Sequence, residues 1–168
     1  MKPLFKNSFS LISDKELERV ERKLKITLPE SYRRFLLEIN GGGPKPNHFE
    51  TEKSLGSEIF LYGITPHEEP ISSEYGDLLL ENMNNVLEMP VGMITIASNI
   101  FGDEIFLSVS GPDNGSLYWW MHDHPDYSDE YGRPRRENLA LIASDFEAFI
   151  NSFCVDPDME EEEEEEES

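Results

Sequence analysis

Residues 26–44, ITLPESYRRFLLEINGGGP, hold a whole helix with its start and stop included. Pro29 suits the first helical position, where the missing N–H costs nothing. Tyr32, Phe35, Leu36 and Ile39 then recur at the spacing of one helical face. Asn40-Gly41-Gly42-Gly43-Pro44 closes the segment, with glycines free to take positive φ and a proline that forbids continuation. A helix so punctuated must bury one stripe, and the rest of the chain has to supply the surface it packs on.

Upstream, Ser13 and Glu16 have the spacing of a capping box, and Leu17, Val20 and Leu24 follow among charged residues. An amphipathic helix is expected over 14–25. Downstream, 45–56 is polar and irregular, 58–64 (EIFLYGI) is expected to be a strand, and 65–76 a loop. Leu78, Leu79, Met83, Val86 and Leu87 fall on one helical face ahead of Pro90. The period then changes from 3.6 to 2, giving strands at 93–98, 104–110 and 116–122. Gly111-Pro112-Asp113-Asn114-Gly115 is turn chemistry for a hairpin between the last two, and 99–103, with Gly102, joins the first two. A short extended piece at 139–143 precedes a closing helix with Ser144 and Glu147 as its capping box and Phe146, Phe149, Ile150 and Phe153 as its apolar face. Helices cluster at the ends and strands in the middle. The expected class is α+β, a central, mainly antiparallel sheet flanked by N-terminal and C-terminal helices. The expected organisation is one domain over 1–155 and a disordered poly-Glu tail over 156–168.

Leu, Ile, Val and Phe make up roughly a quarter of the 168 residues, enough for a packed core. Against that stand 35 acids and 14 bases, a net charge of −21. Ten of the acids lie in 156–168, so residues 1–155 still carry −11. Such a surface argues against nucleic acid and anionic membranes, which need clustered Lys and Arg, and favours a basic protein partner. Cys154 is the single cysteine, so no internal disulfide is expected and a reducing compartment fits. Neither a signal-peptide core nor a run near the roughly 20 apolar residues of a spanning helix occurs, and a cytoplasmic location is expected.

Candidate chemistry is sparse. His122-Asp123-His124, with Asp126 close by, has imidazole and carboxylate at a spacing that would suit zinc on an extended segment. Against this, His48 and His67 are distant in sequence, and the polar end of a hairpin explains the cluster without a metal. A metal-dependent hydrolase on His122, His124 and Asp126 is therefore the lesser reading. Cys154 has no neighbouring base, and the glycines at 41–43 follow a helix instead of opening one as a phosphate cradle would. Carboxylate pairs such as Asp103-Glu104 or Glu68-Glu69 are not distinctive in so acidic a chain. No catalytic residue, cofactor or metal is assigned. Tyr118-Trp119-Trp120 is expected to pack both faces of the sheet, with a Trp on a water-facing side available to a partner.

The segment Ile26 to Gly42 resembles the signature of the SUKH superfamily, in its Smi/Knr-like branch. That branch has a first helix, then a Leu-Pro-x-x-Tyr-x-x-Phe-Leu helix ending in Asn-Gly-Gly. Leu28, Pro29, Tyr32, Phe35, Leu36, Asn40, Gly41 and Gly42 stand at those positions. The stretches 96–105, 115–123 and 142–150 are similar to the family's strand region and closing helix, in the right order. The resemblance implies no enzyme activity. It implies an immunity protein that binds a toxin or, in another branch, a regulator of cell-wall synthesis and signalling. The motif residues map onto packing and capping, which leaves the contact surface to other positions. Joined to the charge, the resemblance points to a basic toxin domain, possessing a nuclease-like cleft, held by acids in the loops around the last hairpin. The expected contacts are Asp113, Asp123, Asp126, Asp129 and Glu130, with Trp120.

Overall fold

The computed structural model describes residues 2–66, 76–85 and 88–158. A five-stranded antiparallel sheet forms its centre, in the order β5 (Phe60–Leu61), β6 (Met93–Ser98), β7 (Glu104–Ser108), β8 (Leu117–Trp120) and β9 (Ala140–Ala143). Two small antiparallel pairs stand beside it: β1 (Leu4–Lys6) with β2 (Gly43–Lys45), and β3 (Phe49–Glu50) with β4 (Leu55–Gly56). Four helices complete the fold: α1 (Asp14–Leu24), α2 (Glu30–Glu38), α3 (Leu78–Asn84) and α4 (Phe146–Asn151). The expected α+β class stands.

The helix motif supplies Leu28, Tyr32, Phe35 and Leu36 to the core. Tyr32 and Leu36 are fully buried, with Phe35 almost so, and the Phe146 ring of α4 lies 5.0 Å from Tyr32 and 4.9 Å from Phe35. Buried Glu21 ties α1 to α2, its carboxylate accepting from the Leu28 amide (2.9 Å) and the Arg33 guanidinium (2.7 Å). Beyond α2 the chain turns left-handed at Asn40 (φ 65°) and stays at positive φ through Gly41 and Gly42. The Asn40 side chain donates to the Ser10 and Ile64 carbonyls and accepts from the Ile64 amide, at 2.7–2.8 Å. Gly41 is also a close approach, because a Cβ there would sit 2.8 Å from the Leu61 carbonyl and the Gly63 amide. The glycines thus stop the helix and let its end lie on the first strand of the sheet.

Alternation along the strands splits their side chains. Ile105, Leu107, Leu117 and Trp119 face the main core, while Met93, Phe106 and Leu139 form a smaller cluster with Tyr118 and Trp120 against it. Each face of the sheet is thus packed.

Several local expectations change. Only Phe60–Leu61 of the expected 58–64 strand is ladder: Leu61 exchanges both backbone bonds with Gly42, and Gly63 turns to bridge Asp77. The irregular 45–56 segment contains β3 and β4 and the last residue of β2, and fully buried Phe49 meets Trp119 and Phe149 edge-on at 5.3 and 5.4 Å. Helix α2 begins at Glu30, with Pro29 as its N-cap. Helix α4 is capped by Asp145, which accepts from the Ala148 amide at 2.8 Å, in place of Ser144. In α3, Leu78 is buried as expected, Met83 is exposed, and Asn82 is buried as well, donating to the Leu78 and Thr95 carbonyls and accepting from the Thr95 amide. Val86, Leu87, His67 and the run Glu160 to Glu167 lie outside the described residues.

Candidate functional site

The acids around the last hairpin divide into those the fold uses and those it leaves to solvent. Asp113, in the β7–β8 turn, accepts from the Ser108 hydroxyl (2.8 Å), the Tyr118 hydroxyl (2.7 Å) and the Arg136 guanidinium. Partial desolvation works to raise its pKa, but these bonds prevail and hold it below the usual carboxylate range. Desolvation and the same contact push Tyr118 up to about 12. Arg136 also donates to the Val91 carbonyl (2.9 Å), so this cluster fastens two loops across the outer face of the sheet. Asp129 accepts from the Arg133 and Tyr131 amides and from Arg135 Nε, at 2.8–2.9 Å. The Arg133 amide leads the effects that lower its pKa.

Asp123, Asp126 and Glu130 stand outward on the segment after β8. The side chains of Asp123 and Asp126 are 87% and 78% exposed. Trp120 is half-buried, with its indole N–H donating to Ser128 Oγ (3.0 Å), its ring stacked on Phe106 and its edge toward His122.

His122 and His124 are held apart by different partners. The His122 ring lies between Asp103 (3.0 Å from Nδ1) and Asp123 (2.9 Å from Nε2), whereas His124 meets Tyr127 edge-on and accepts from the Asp126 amide through Nδ1 (3.2 Å). His48 lies 3.7 Å from Asp156, on the segment bridged to Cys154. Among the described residues, no group of three or more His, Cys, Asp or Glu is arranged to hold a metal ion.

The sequence does not mark the β6–β7 turn as a contact region, yet through Asp103 and His122 it stands beside Asp123. Asp103 Oδ1 accepts from both the backbone N–H and the ring Nδ1 of His122, tying the turn to the end of β8. Where the turn ends and β7 starts, Glu104 is pushed up to about 7, first by desolvation and then by Glu81 and Glu88; the Thr95 hydroxyl and His122 pull the other way. The turn's sequence signal is Ile100-Phe101, two large apolar residues at a place where polar ones are usual.

A five-stranded antiparallel sheet, the Asn-Gly-Gly close approach and helices from both chain ends define the SUKH-like class of α+β fold. The chain belongs to the SMI1 / KNR4 family (SUKH-1), which it matches over residues 11–152. No curated protein matches it. The family includes immunity proteins and cell-wall synthesis regulators and is generally non-catalytic. Among the described residues, no helix is long and apolar enough to cross a membrane.

Proposed function

We propose that this protein is an immunity protein that binds a cognate protein toxin in the cytoplasm and neutralises it by covering its active site. The observation that carries the reading is the set of solvent-exposed carboxylates Asp123, Asp126 and Glu130 on an acidic body, set on one segment after β8. Membership of a family that includes immunity proteins supports it. A nuclease-type toxin needs a basic cleft for phosphate, and carboxylates can occupy that cleft as surrogates. Opposite charge speeds encounter, and occlusion then suffices without chemistry. Half-buried Trp120 contributes its accessible part, while Asp113 and Asp129 act by holding the loops in shape. The binding unit is residues 1–155, with the acidic tail outside it.

The test is a rescue screen. Fragments of the genome encoding this chain are expressed from an inducible promoter in a host lacking it, with and without the protein. Expected are clones that arrest growth alone, survive with the protein, and encode a basic domain that forms an equimolar complex with it. Absence of any rescued clone refutes the reading. Stable association with wall-synthesis enzymes instead would assign the protein to the family's other role.

A further inference from the structure

Single exposed apolar side chains are ordinary on protein surfaces, and this fold has several, among them Leu11, Val91 and Tyr131. Ile100 and Phe101 differ because they are consecutive, 85% and 60% exposed, and carried by a turn with no freedom to bury them. Asn99 Oδ1 accepts from the Phe101 and Asp103 amides (3.0 Å each), the Asn99 amide donates to the Asp103 carbonyl (3.1 Å), and the Gly102 amide donates to the Asn99 carbonyl (3.2 Å). Gly102, at φ 90°, lies against the His122 imidazole, where a Cβ would come within 3.2 Å of Cε1. The turn is braced from within by Asn99 and from beside by His122 and Asp103.

Displaying two large side chains on a braced turn exposes apolar surface without stabilising the monomer. The arrangement suits association: both anchors are already in place, so little ordering cost remains when they enter a pocket. Charge defines the partner. Asp123 stands next to the turn through His122, and the exposed Asp126 and Glu130 lie further along the same segment. An apolar pair beside these acids is complementary to an apolar pocket that carries Lys and Arg on its rim.

We infer that the Ile100–Phe101 turn is the apolar anchor of the toxin interface, inserting into a pocket of a basic toxin domain while Asp123 and its neighbours engage the basic rim. The inference rests on the immunity reading and adds to it the element that determines how long the complex lasts. The carboxylates speed arrival; burial of the anchor slows departure.

The experiment uses the full chain and a catalytically inactive form of the toxin domain recovered by the rescue screen. Ile100→Ser/Phe101→Ser is compared with Phe101→Tyr, which keeps the ring, and with Val91→Ser, an equally exposed control. Expected are an unchanged melting temperature for all three, at least about a 30-fold rise in Kd for the double variant arising in koff, and loss of its rescue. Phe101→Tyr and Val91→Ser should stay within about three-fold of wild type. If the wild type rescues a clone and the double variant binds equally well, the anchor is overturned and the immunity function stands. If the wild type rescues nothing, the immunity function has failed and the anchor falls with it.

Discussion

Glu104→Gln is expected to make the protein more stable, by an amount that grows with pH. The Glu104 carboxyl sits at the start of β7 with Thr95 Oγ1 donating to its Oε1 at 2.9 Å, facing Glu81 and Glu88, with His122 the neighbour that favours its charged form. Burial and the two carboxylates raise its pKa from 4.5 to about 7. Between those values the native state holds a proton that the unfolded chain has released, so stability falls as pH rises through this window. The loss is complete above the native value. It amounts to about 3 kcal/mol, the free energy of moving the pKa from 4.5 to about 7. Glutamine keeps the oxygen that accepts from Thr95 and has no charge to desolvate. Urea unfolding of wild type and variant should therefore nearly coincide at about pH 4 and differ by about 3 kcal/mol at about pH 8, the variant being more stable. Taking the difference between the two proteins removes the general effect of a highly negative chain. A difference that is flat across that range, or of opposite sign, would refute the argument.

The other predictions test the fold and the surface. Asn40→Ala should cost on the order of 3 kcal/mol or more in urea unfolding, because the Ser10 and Ile64 backbone groups lose a buried partner and alanine must take φ 65°. Gly41→Ala should be worse, preventing accumulation of folded protein, since its Cβ meets backbone that cannot yield without moving β5. Arg136→Ala should raise the pKa of Asp113, measured by carboxyl NMR titration, and should speed amide exchange in the 88–92 loop that Arg136 holds through Val91. Charge reversal at Asp123, Asp126 and Glu130 together should weaken toxin capture by more than 10-fold, about 1.4 kcal/mol, mainly in kon, with a shallower dependence on salt.

Local signals revealed much of the frame. The apolar stripe of α2, its Asn-Gly-Gly stop and the change of period at β6 are written in neighbouring residues, and all three appear where expected. What failed to show depended on contacts across the chain. Phe49 looks like a stray aromatic in a polar run, and only the distant Trp119 and Phe149 make it a core residue that organises β3 and β4. Asn82 looks like a polar break in an apolar helix face, yet it satisfies the bulged Thr95 backbone of β6. For the candidate site, charge was legible and availability was not. Asp113 and Asp129 resemble Asp123 and Asp126 in sequence, and nothing local shows that Arg136 and Arg135 pair with the first two.

That division bears on how one scaffold can serve different partners. Asp103, Asp113 and Asp129 each accept several hydrogen bonds within the chain, so changing any of them to improve a contact would loosen a turn or a loop. Ile100, Phe101, Asp126 and Glu130 are exposed side chains whose replacement leaves the core as it is. Specificity is a difference of affinities, and it is most readily altered where substitutions carry no folding cost. The end of the sheet that presents the β6–β7 turn beside the post-β8 segment meets that condition, because its shape is fixed by Asn99, Asp103 and His122 while its outward side chains are free to vary. Recognition can thus be rewritten there without touching Tyr32, Asn40 or Gly41, the residues on which the fold depends.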